Sequence, residues 1–197
     1  YCKKFIKEKY KLNDDFILYV GGYSPRKNII GILDAFSLLK NSLKKNLKVV
    51  ITGRKGISYE IYTNRAIKLG ILDSVLFTDF IPLEDLPIFY NACEFLVYPS
   101  FYEGFGLSTV EIMAAGRPVI VSDIDGIREV VEGAGLLFEN GNERDLAEKI
   151  RYLTEHPAVY EEVACRCEQR SLDFNIDTTV KEYTTLYTNL INGRGIK

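Results

Sequence analysis

The chain has 197 residues, of which 47% are hydrophobic and 26% charged, so it can bury a substantial core as a soluble globular protein. Its 25 basic and 27 acidic residues leave a net charge of −2, which gives no field that favours nucleic acid. Four cysteines without CxxC spacing and one histidine indicate neither a disulfide framework nor a zinc site, so we expect reduced thiols in a cytosolic setting. We find no bilayer-length apolar run and no signal-peptide pattern.

Residues 1–14 are interpreted as a linker segment whose helix leads into the first strand. Because the sequence begins at Tyr1 and not at a methionine, we expect it to be part of a longer protein.

From residue 15 onward, short apolar runs alternate with stretches in which apolar residues recur at helical spacing. A continuous apolar run that ends in glycine, such as Phe16–Val20, is typical of a strand buried on both faces. The predicted strands are Phe16–Val20, Leu47–Thr52, Val75–Phe80, Phe95–Tyr98, Pro118–Val121 and Leu136–Phe138. The predicted helices are Asn28–Lys40, Tyr59–Leu69, Leu83–Ala92, Leu107–Ala115, Ile127–Val131, Glu143–Thr154, Ala158–Ser171 and Thr178–Asn192. This order predicts an α/β fold with a Rossmann-like, doubly wound parallel sheet and C-terminal helices.

The loop after the fourth strand reads YEGFGLSTVE, in which two carboxylates bracket a glycine-rich turn. Ligands of such folds lie beyond the carboxyl ends of the strands. Gly104 and Gly106 allow the backbone to approach a ligand, and the amides of the following helix favour an anion. Glu103 and Glu111 can then reach opposite ends of one hydroxylated molecule.

The loop after the first strand supplies Arg26 and Lys27, which are suited to a phosphate. A diphosphate flanked by two polyols fits this combination of anion site and carboxylates. The glycine pair before these cations lacks GxGxxG spacing, which argues against a nicotinamide dehydrogenase.

Structural explanations compete with these functional ones. Ser108 and Glu111 also fit an S-x-x-E capping box, and this alternative stays open from sequence alone. Glu103 taken singly is typical of a solvated loop carboxylate, and Arg26 and Lys27 of exposed surface charges.

The stretch PSFYEGFGLSTVEIMAAGRPVIVSD, residues 99–123, resembles the signature of retaining glycosyltransferases of the GT-B fold, with Glu103 and Glu111 at its E-x7-E spacing. YVGGYSPRKNI is similar to the family's phosphate-binding loop, and LLF after GAG to its final strand. The resemblance runs from about Asp15 to the end of the chain. It implies the C-terminal, donor-binding half of a GT-B fold, with a nucleotide-sugar-binding domain over residues 15–175 and a C-terminal crossover helix over 176–197.

The resemblance also implies roles for individual residues. Glu103 and Lys27 would form the catalytic pair, with Lys27 on the diphosphate, Glu103 near the transferred sugar and Glu111 on the ribose. The loop from Thr78 to Ile81 would border the base, and no metal or cofactor is required. The implied nucleotide-sugar site consists of Gly22, Arg26, Lys27, Gly53, Phe80, Ile81, Glu103, Gly104, Phe105, Gly106, Leu107, Ser108 and Glu111.

The implied activity is transfer of a hexose, with mannose favoured, from a GDP-sugar or UDP-sugar to a glycan or glycolipid acceptor with retention of configuration. The setting is bacterial cell-envelope synthesis, including lipopolysaccharide. The acceptor would bind an N-terminal domain that is not part of this chain. The full-length enzyme would be cytoplasmic or would associate peripherally with the inner face of the cytoplasmic membrane. A non-catalytic nucleotide-sugar-binding or interaction module on the same scaffold is the alternative.

Three positions depart from the family's pattern. Gly22 stands where the family often has arginine, Asp79 where glycine is common, and Ser108 where proline often starts the helix. The missing guanidinium leaves Arg26 or Lys27 alone to neutralise the leaving diphosphate.

Overall fold

The computed structural model describes residues 1–39, 42–43 and 46–193. The strands are β1 (Asp15–Tyr19), β2 (Leu47–Thr52), β3 (Val75–Asp79), β4 (Leu96–Tyr98), β5 (Val119–Ser122) and β6 (Leu136–Phe138). They form a parallel sheet with the order β3-β2-β1-β4-β5-β6. The predicted α/β class and all six predicted strands are confirmed, with each boundary within one residue of its predicted position.

Helices connect the strands and follow the last one. They are α1 (Cys2–Tyr10), α2 (Ile29–Leu39), α3 (Ser58–Lys68), α4 (Leu86–Ala92), α5 (Leu107–Ala114), α6 (Asp125–Val131), α7 (Glu143–Glu155), α8 (Pro157–Ser171) and α9 (Ile176–Ile191), with short 3-10 helices at Pro25–Lys27 and Leu72–Ser74. The predicted end of α2 at Lys40 and the end of the crossover segment, 194–197, lie outside the described residues.

The starts of α4, α6 and α9 differ from the prediction by two or three residues. Helix α6 begins at Asp125, two residues before the predicted Ile127, with Ile124 as its N-cap. Residues 83–85 form a turn, and α4 begins only at Leu86, followed by Pro87, whose ring suits the first turn of a helix. Helix α9 begins at Ile176 because the side chain of Asn175 accepts a hydrogen bond from the Asp177 amide at 2.8 Å.

The strand order reverses between β1 and β4. The chain moves outward from β1 to β3 and then returns to form β4 on the other side of β1, where Leu18 pairs with Leu96. The connections that follow β1 and β4 therefore run towards opposite edges of the sheet. In this class of fold, a crevice opens at the carboxyl ends of the strands where the order reverses.

Helix α1 packs against α4, and its Ile6 is buried. The ring centroids of Tyr10 and Phe89 lie 4.7 Å apart in an edge-on arrangement. Nζ of Lys9 forms an ion pair with Oδ2 of Asp85 at 2.6 Å. Helix α9, in contrast, has no buried residue along its described length.

The division into a linker, a binding domain and a crossover helix stays a prediction. Within the described part of the chain, no helix combines the length and apolarity needed to cross a bilayer.

Gly53 closes the end of β2 against β1. Its φ is 131°, and a Cβ there would overlap the carbonyl oxygen of Gly21 and lie 3.2 Å from the Tyr23 ring. Its amide donates to the Asp79 carbonyl at 3.1 Å, which ties the ends of β2 and β3 together. Only glycine satisfies both the backbone angle and the close approach.

We expect Gly53→Ala to lower the free energy of unfolding by about 2–4 kcal/mol, because the new methyl group must displace backbone and not a flexible side chain. Gly56→Ala is the matched control, since a Cβ at Gly56 meets open space. Chemical denaturation of both variants measures the difference. Equal midpoints for Gly53→Ala and the wild type would contradict the close approach.

Candidate functional site

The loops after β1 and β4 meet through an ion cluster at the point of reversal. The Nζ atom of Lys27, on the 3-10 helix after β1, lies 2.5 Å from Oε1 of Glu103, and Nη1 of Arg26 lies 2.7 Å from the same oxygen. Lys27 also donates to the Tyr98 hydroxyl at 2.9 Å. We call Arg26, Lys27, Tyr98 and Glu103 the Lys27 cluster. It joins three of the predicted site residues.

Two members of the Lys27 cluster are withdrawn from water, whereas the Arg26 side chain is 46% exposed. The Lys27 and Glu103 side chains are only 13% and 11% exposed. Burial opposes ionisation of Glu103, but the contacts with Lys27 and Arg26 outweigh it and hold the pKa of the carboxyl below its usual value. Among the described residues neither cation has a second carboxylate partner, so two positive charges face one negative charge. The excess positive charge favours an anion.

Helix α5 begins beside this cluster, and the amides of Leu107 and Ser108, its first two residues, have no acceptor among the described residues. The Thr109 amide donates to the Gly106 carbonyl at 2.9 Å. Gly106, at a φ of 80°, is the N-cap residue, and no side chain among the described residues caps the helix. A Cβ at Gly106 would lie 2.5 Å from Cδ1 of Ile127, so the turn is also closely packed. The first backbone amides of a helix have no intrahelical acceptor, and they present positive partial charge to an anion.

The capping-box alternative for Ser108 is wrong. Ser108 is the second residue of α5 and not its N-cap, because Gly106 in the left-handed conformation already starts the helix. Glu111 lies one turn further along α5, is exposed, and accepts a hydrogen bond from the Tyr90 hydroxyl on Oε2 at 2.7 Å. Its carboxylate therefore remains available to a ligand.

The predicted base-side loop contains an aspartate in a glycine-like conformation. Asp79 has a φ of 72°, and its Oδ1 accepts hydrogen bonds from the amides of Phe80 at 2.8 Å and Lys55 at 3.0 Å. These backbone hydrogen bonds lower the pKa of the Asp79 carboxyl. A short polar side chain that bonds locally tolerates the left-handed region, which explains how Asp79 adopts a conformation that favours glycine.

The two hydrophobic residues of this loop differ in accessibility. Phe80 is 66% exposed, so its ring is free to contact a base, whereas Ile81 is 4% exposed and belongs to the core. Ile81 can meet a ligand only through its backbone. Gly53 reaches this loop through its hydrogen bond to Asp79.

The remaining predicted residues surround the α5 start or the β1 loop. Leu107 is exposed, and Phe105 is 42% exposed while its ring packs edge-on against Phe174 at 5.6 Å. Nothing lies within 4 Å of a Cβ placed on Gly22 or Gly104, so both positions border open space. The ligand roles assigned to all these residues stay predictions.

Three residues that sequence reasoning missed support the site. Tyr98 is the last residue of β4, and its place at a strand's carboxyl end is a signal that could have identified it. Tyr90 lies on α4, and Gly126, near the start of α6, would bring a Cβ within 2.5 Å of the Glu103 carbonyl oxygen. The sequence carries no signal for either of these contacts.

Curated relatives of this chain include two proteins of Escherichia coli. O-antigen chain mannosyltransferase B is 37% identical over 136 residues, which cover 68% of this chain and 35% of that protein. Serotype-specific mannosyltransferase WbdA is 30% identical over 188 residues, which cover 94% of this chain and 23% of that protein. The chain thus spans about a third or less of the length of these two relatives.

Solved structures share the fold. Sucrose-phosphate synthase from Thermosynechococcus elongatus matches with a TM-score of 0.85 and 26% identity, over 96% of this chain and 49% of that one. HepE of Anabaena, in complex with UDP and glucose, matches with a TM-score of 0.84 and 21% identity, over 95% and 52%. The model of the family described as glycosyl transferases group 1 matches residues 3–170. The chain therefore belongs to the glycosyl transferases group 1 family.

Proposed function

We propose that this chain is the donor-binding half of a retaining glycosyltransferase. The full enzyme would transfer a hexose, with mannose favoured, from a nucleoside diphosphate sugar to a glycan or glycolipid acceptor in bacterial cell-envelope polysaccharide synthesis. One observation carries the proposal: Lys27 and Arg26 converge on Glu103 beside the uncapped start of α5, with Glu111 one turn along that helix.

The relatives support the choice of donor. Both E. coli relatives are named as mannosyltransferases, which favours GDP-mannose. HepE, a structural neighbour, has been solved with UDP-glucose, so a UDP-sugar is the competing donor.

The proposed reaction exchanges one bond at the anomeric carbon. The bond from this carbon to the diphosphate oxygen breaks, and a bond to the acceptor oxygen forms on the same face. The proton of the acceptor hydroxyl would pass to the departing diphosphate oxygen. Lys27, Arg26 and the first amides of α5 would stabilise the charge that develops on the diphosphate, which gives this site a source of positive charge other than a metal. Glu103 would accept hydrogen bonds from the sugar hydroxyls, since a carboxylate held by two cations suits positioning better than nucleophilic attack.

The acceptor site would lie in a part of the protein that this chain does not contain. The four free cysteines fit a reducing compartment, and we place the full enzyme in the cytoplasm, peripherally at the inner membrane face where a glycolipid acceptor is accessible.

Calorimetric titration of the chain with GDP, UDP and ADP tests donor binding. We expect binding with a preference for GDP, and a loss of about 10- to 100-fold in affinity for Lys27→Ala, because one charge-assisted contact with the diphosphate disappears. A preference for UDP would replace the mannose assignment. Absence of binding to all three nucleotides would contradict the proposed function.

Glu103→Gln separates the two roles proposed for this carboxylate. Without its negative charge, Lys27 and Arg26 are free for the diphosphate, so we expect about five- to tenfold tighter binding of the nucleoside diphosphate at low salt. The full-length enzyme should nevertheless lose transfer activity, because a neutral amide accepts hydrogen bonds from the sugar hydroxyls more weakly than a carboxylate and replaces one acceptor oxygen with a donor. Glu155→Gln, at the end of α7, is the control for the change in net charge. Weaker nucleotide binding by Glu103→Gln would contradict the proposal that Glu103 competes with the diphosphate for Lys27 and Arg26.

Gly126→Ala tests whether α6 sets the position of the Glu103 loop. A Cβ at Gly126 would lie 2.5 Å from the carbonyl oxygen of Glu103 and 2.8 Å from that of Gly104. Alanine favours a helix by about 1 kcal/mol over glycine, so a harmful effect must come from the contact. We expect an affinity for the nucleoside diphosphate reduced by about tenfold or more, since small misplacement of binding groups is costly. An unchanged affinity beside the Gly56→Ala control would show that the loop yields freely.

A further inference from the structure

Tyr90 connects helix α4 to the carboxylate that the proposed function assigns to the ribose. Its hydroxyl donates to Oε2 of Glu111 at 2.7 Å, and its side chain is only 5% exposed. We infer that Tyr90 is a positioning residue that orients Glu111 for the ribose hydroxyls of the nucleotide. This inference rests on the proposed function and adds a residue outside the sequence signature.

The contact fixes which group donates and which accepts. Burial, followed by the hydrogen bond to Glu111, raises the pKa of Tyr90 well above its usual range, so the phenol stays protonated and donates. An ionised carboxylate only accepts hydrogen bonds, and a ribose diol offers two donors. Oε2 is engaged by Tyr90, while Oε1 has no hydrogen-bond partner within the part of the chain that the structure describes. One oxygen is therefore anchored and the other is open to the ligand.

The free volume around Glu111 explains why a hydrogen bond from Tyr90 would matter for binding. Glu111 is exposed and lines a cavity of about 410 Å³ between α4 and α5, together with Leu83, Leu86, Pro87, Tyr90, Asn91, Ala114 and Ala115. A glutamate beside so much free volume has several rotamers available, and ordering it on binding would cost affinity. A hydrogen bond from a buried, rigid ring selects one of these rotamers before the ligand arrives.

Tyr90→Phe removes the hydroxyl and keeps the ring. The probe is GDP or UDP, whichever the wild-type chain binds more tightly, compared by calorimetry with its 2′,3′-dideoxy form. We expect Tyr90→Phe to weaken binding of the ribonucleotide by about five- to tenfold and to leave binding of the dideoxynucleotide unchanged, because only the ribose hydroxyls use Glu111. In a Glu111→Ala background, Tyr90→Phe should have no further effect on ribonucleotide affinity.

Tyr160→Phe is the matched control. The Tyr160 hydroxyl is also hydrogen-bonded, to the Glu94 carbonyl at 2.7 Å and the Arg117 guanidinium at 3.2 Å, so the same atom is removed at a comparable loss of hydrogen bonding. This variant should bind both nucleotides as the wild type does. Thermal melts of both variants show whether they remain folded over the titration.

The outcomes separate the two proposals. If the wild type prefers ribonucleotide over dideoxynucleotide and Tyr90→Phe leaves that preference intact, or weakens both ligands equally, the positioning role is overturned while the proposed function stands. If the wild type binds neither nucleotide, the proposed function fails and this inference falls with it. If the wild type binds both equally, Glu111 does not recognise the ribose, which also overturns the inference.

Discussion

The reversal of strand order between β1 and β4 is the constraint from which the candidate site follows. It brings Lys27 and Glu103, 76 positions apart in sequence, into direct contact, because the loops that carry them leave neighbouring strands. In a sheet whose strands were added in one direction only, the connections after neighbouring strands would all run the same way, and no crevice would open between them. The sheet topology thus brings the two loops together, and the loops supply the charged side chains.

Close backbone contacts at two glycines fix the position of the loop that carries Glu103. Gly106 starts α5 in the left-handed region against Ile127, and Gly126 lets α6 approach the carbonyl of Glu103. Both contacts place α6 beneath the carboxylate loop, so the position of Glu103 depends on a helix that supplies no predicted ligand group. Close packing of this kind transmits displacement, because a well-packed interior does not deform smoothly.

The sequence predicted what continuous or periodic patterns encode. Strands buried on both faces are uninterrupted apolar runs, and so their boundaries were accurate to one residue. Helix starts were less accurate where local capping decides them: Asn175 begins α9 two residues before the predicted Thr178. The start of α5 at Leu107 was predicted correctly, although its N-cap is Gly106 and not Ser108. The carboxylate pair was visible in the loop motif. Tyr90 was not, since a hydrogen bond between α4 and α5 depends on how two helices pack, which no local pattern records.

The two carboxylates have different partners: Glu103 is paired with two cations and Glu111 with a neutral hydroxyl. Under the proposed function they would serve different steps of ligand recognition. Without a ligand, Glu103 neutralises part of the charge on Lys27 and Arg26, which limits the cost of holding the poorly solvated Lys27 ammonium. A diphosphate would take over these cations and release Glu103 towards the sugar hydroxyls, so phosphate binding and sugar positioning would occur together. Glu111 takes no part in that exchange, because its partner is the neutral Tyr90 hydroxyl. The ribose contact would then be independent of the phosphate contact, which lets the site hold the nucleoside while the ion cluster rearranges.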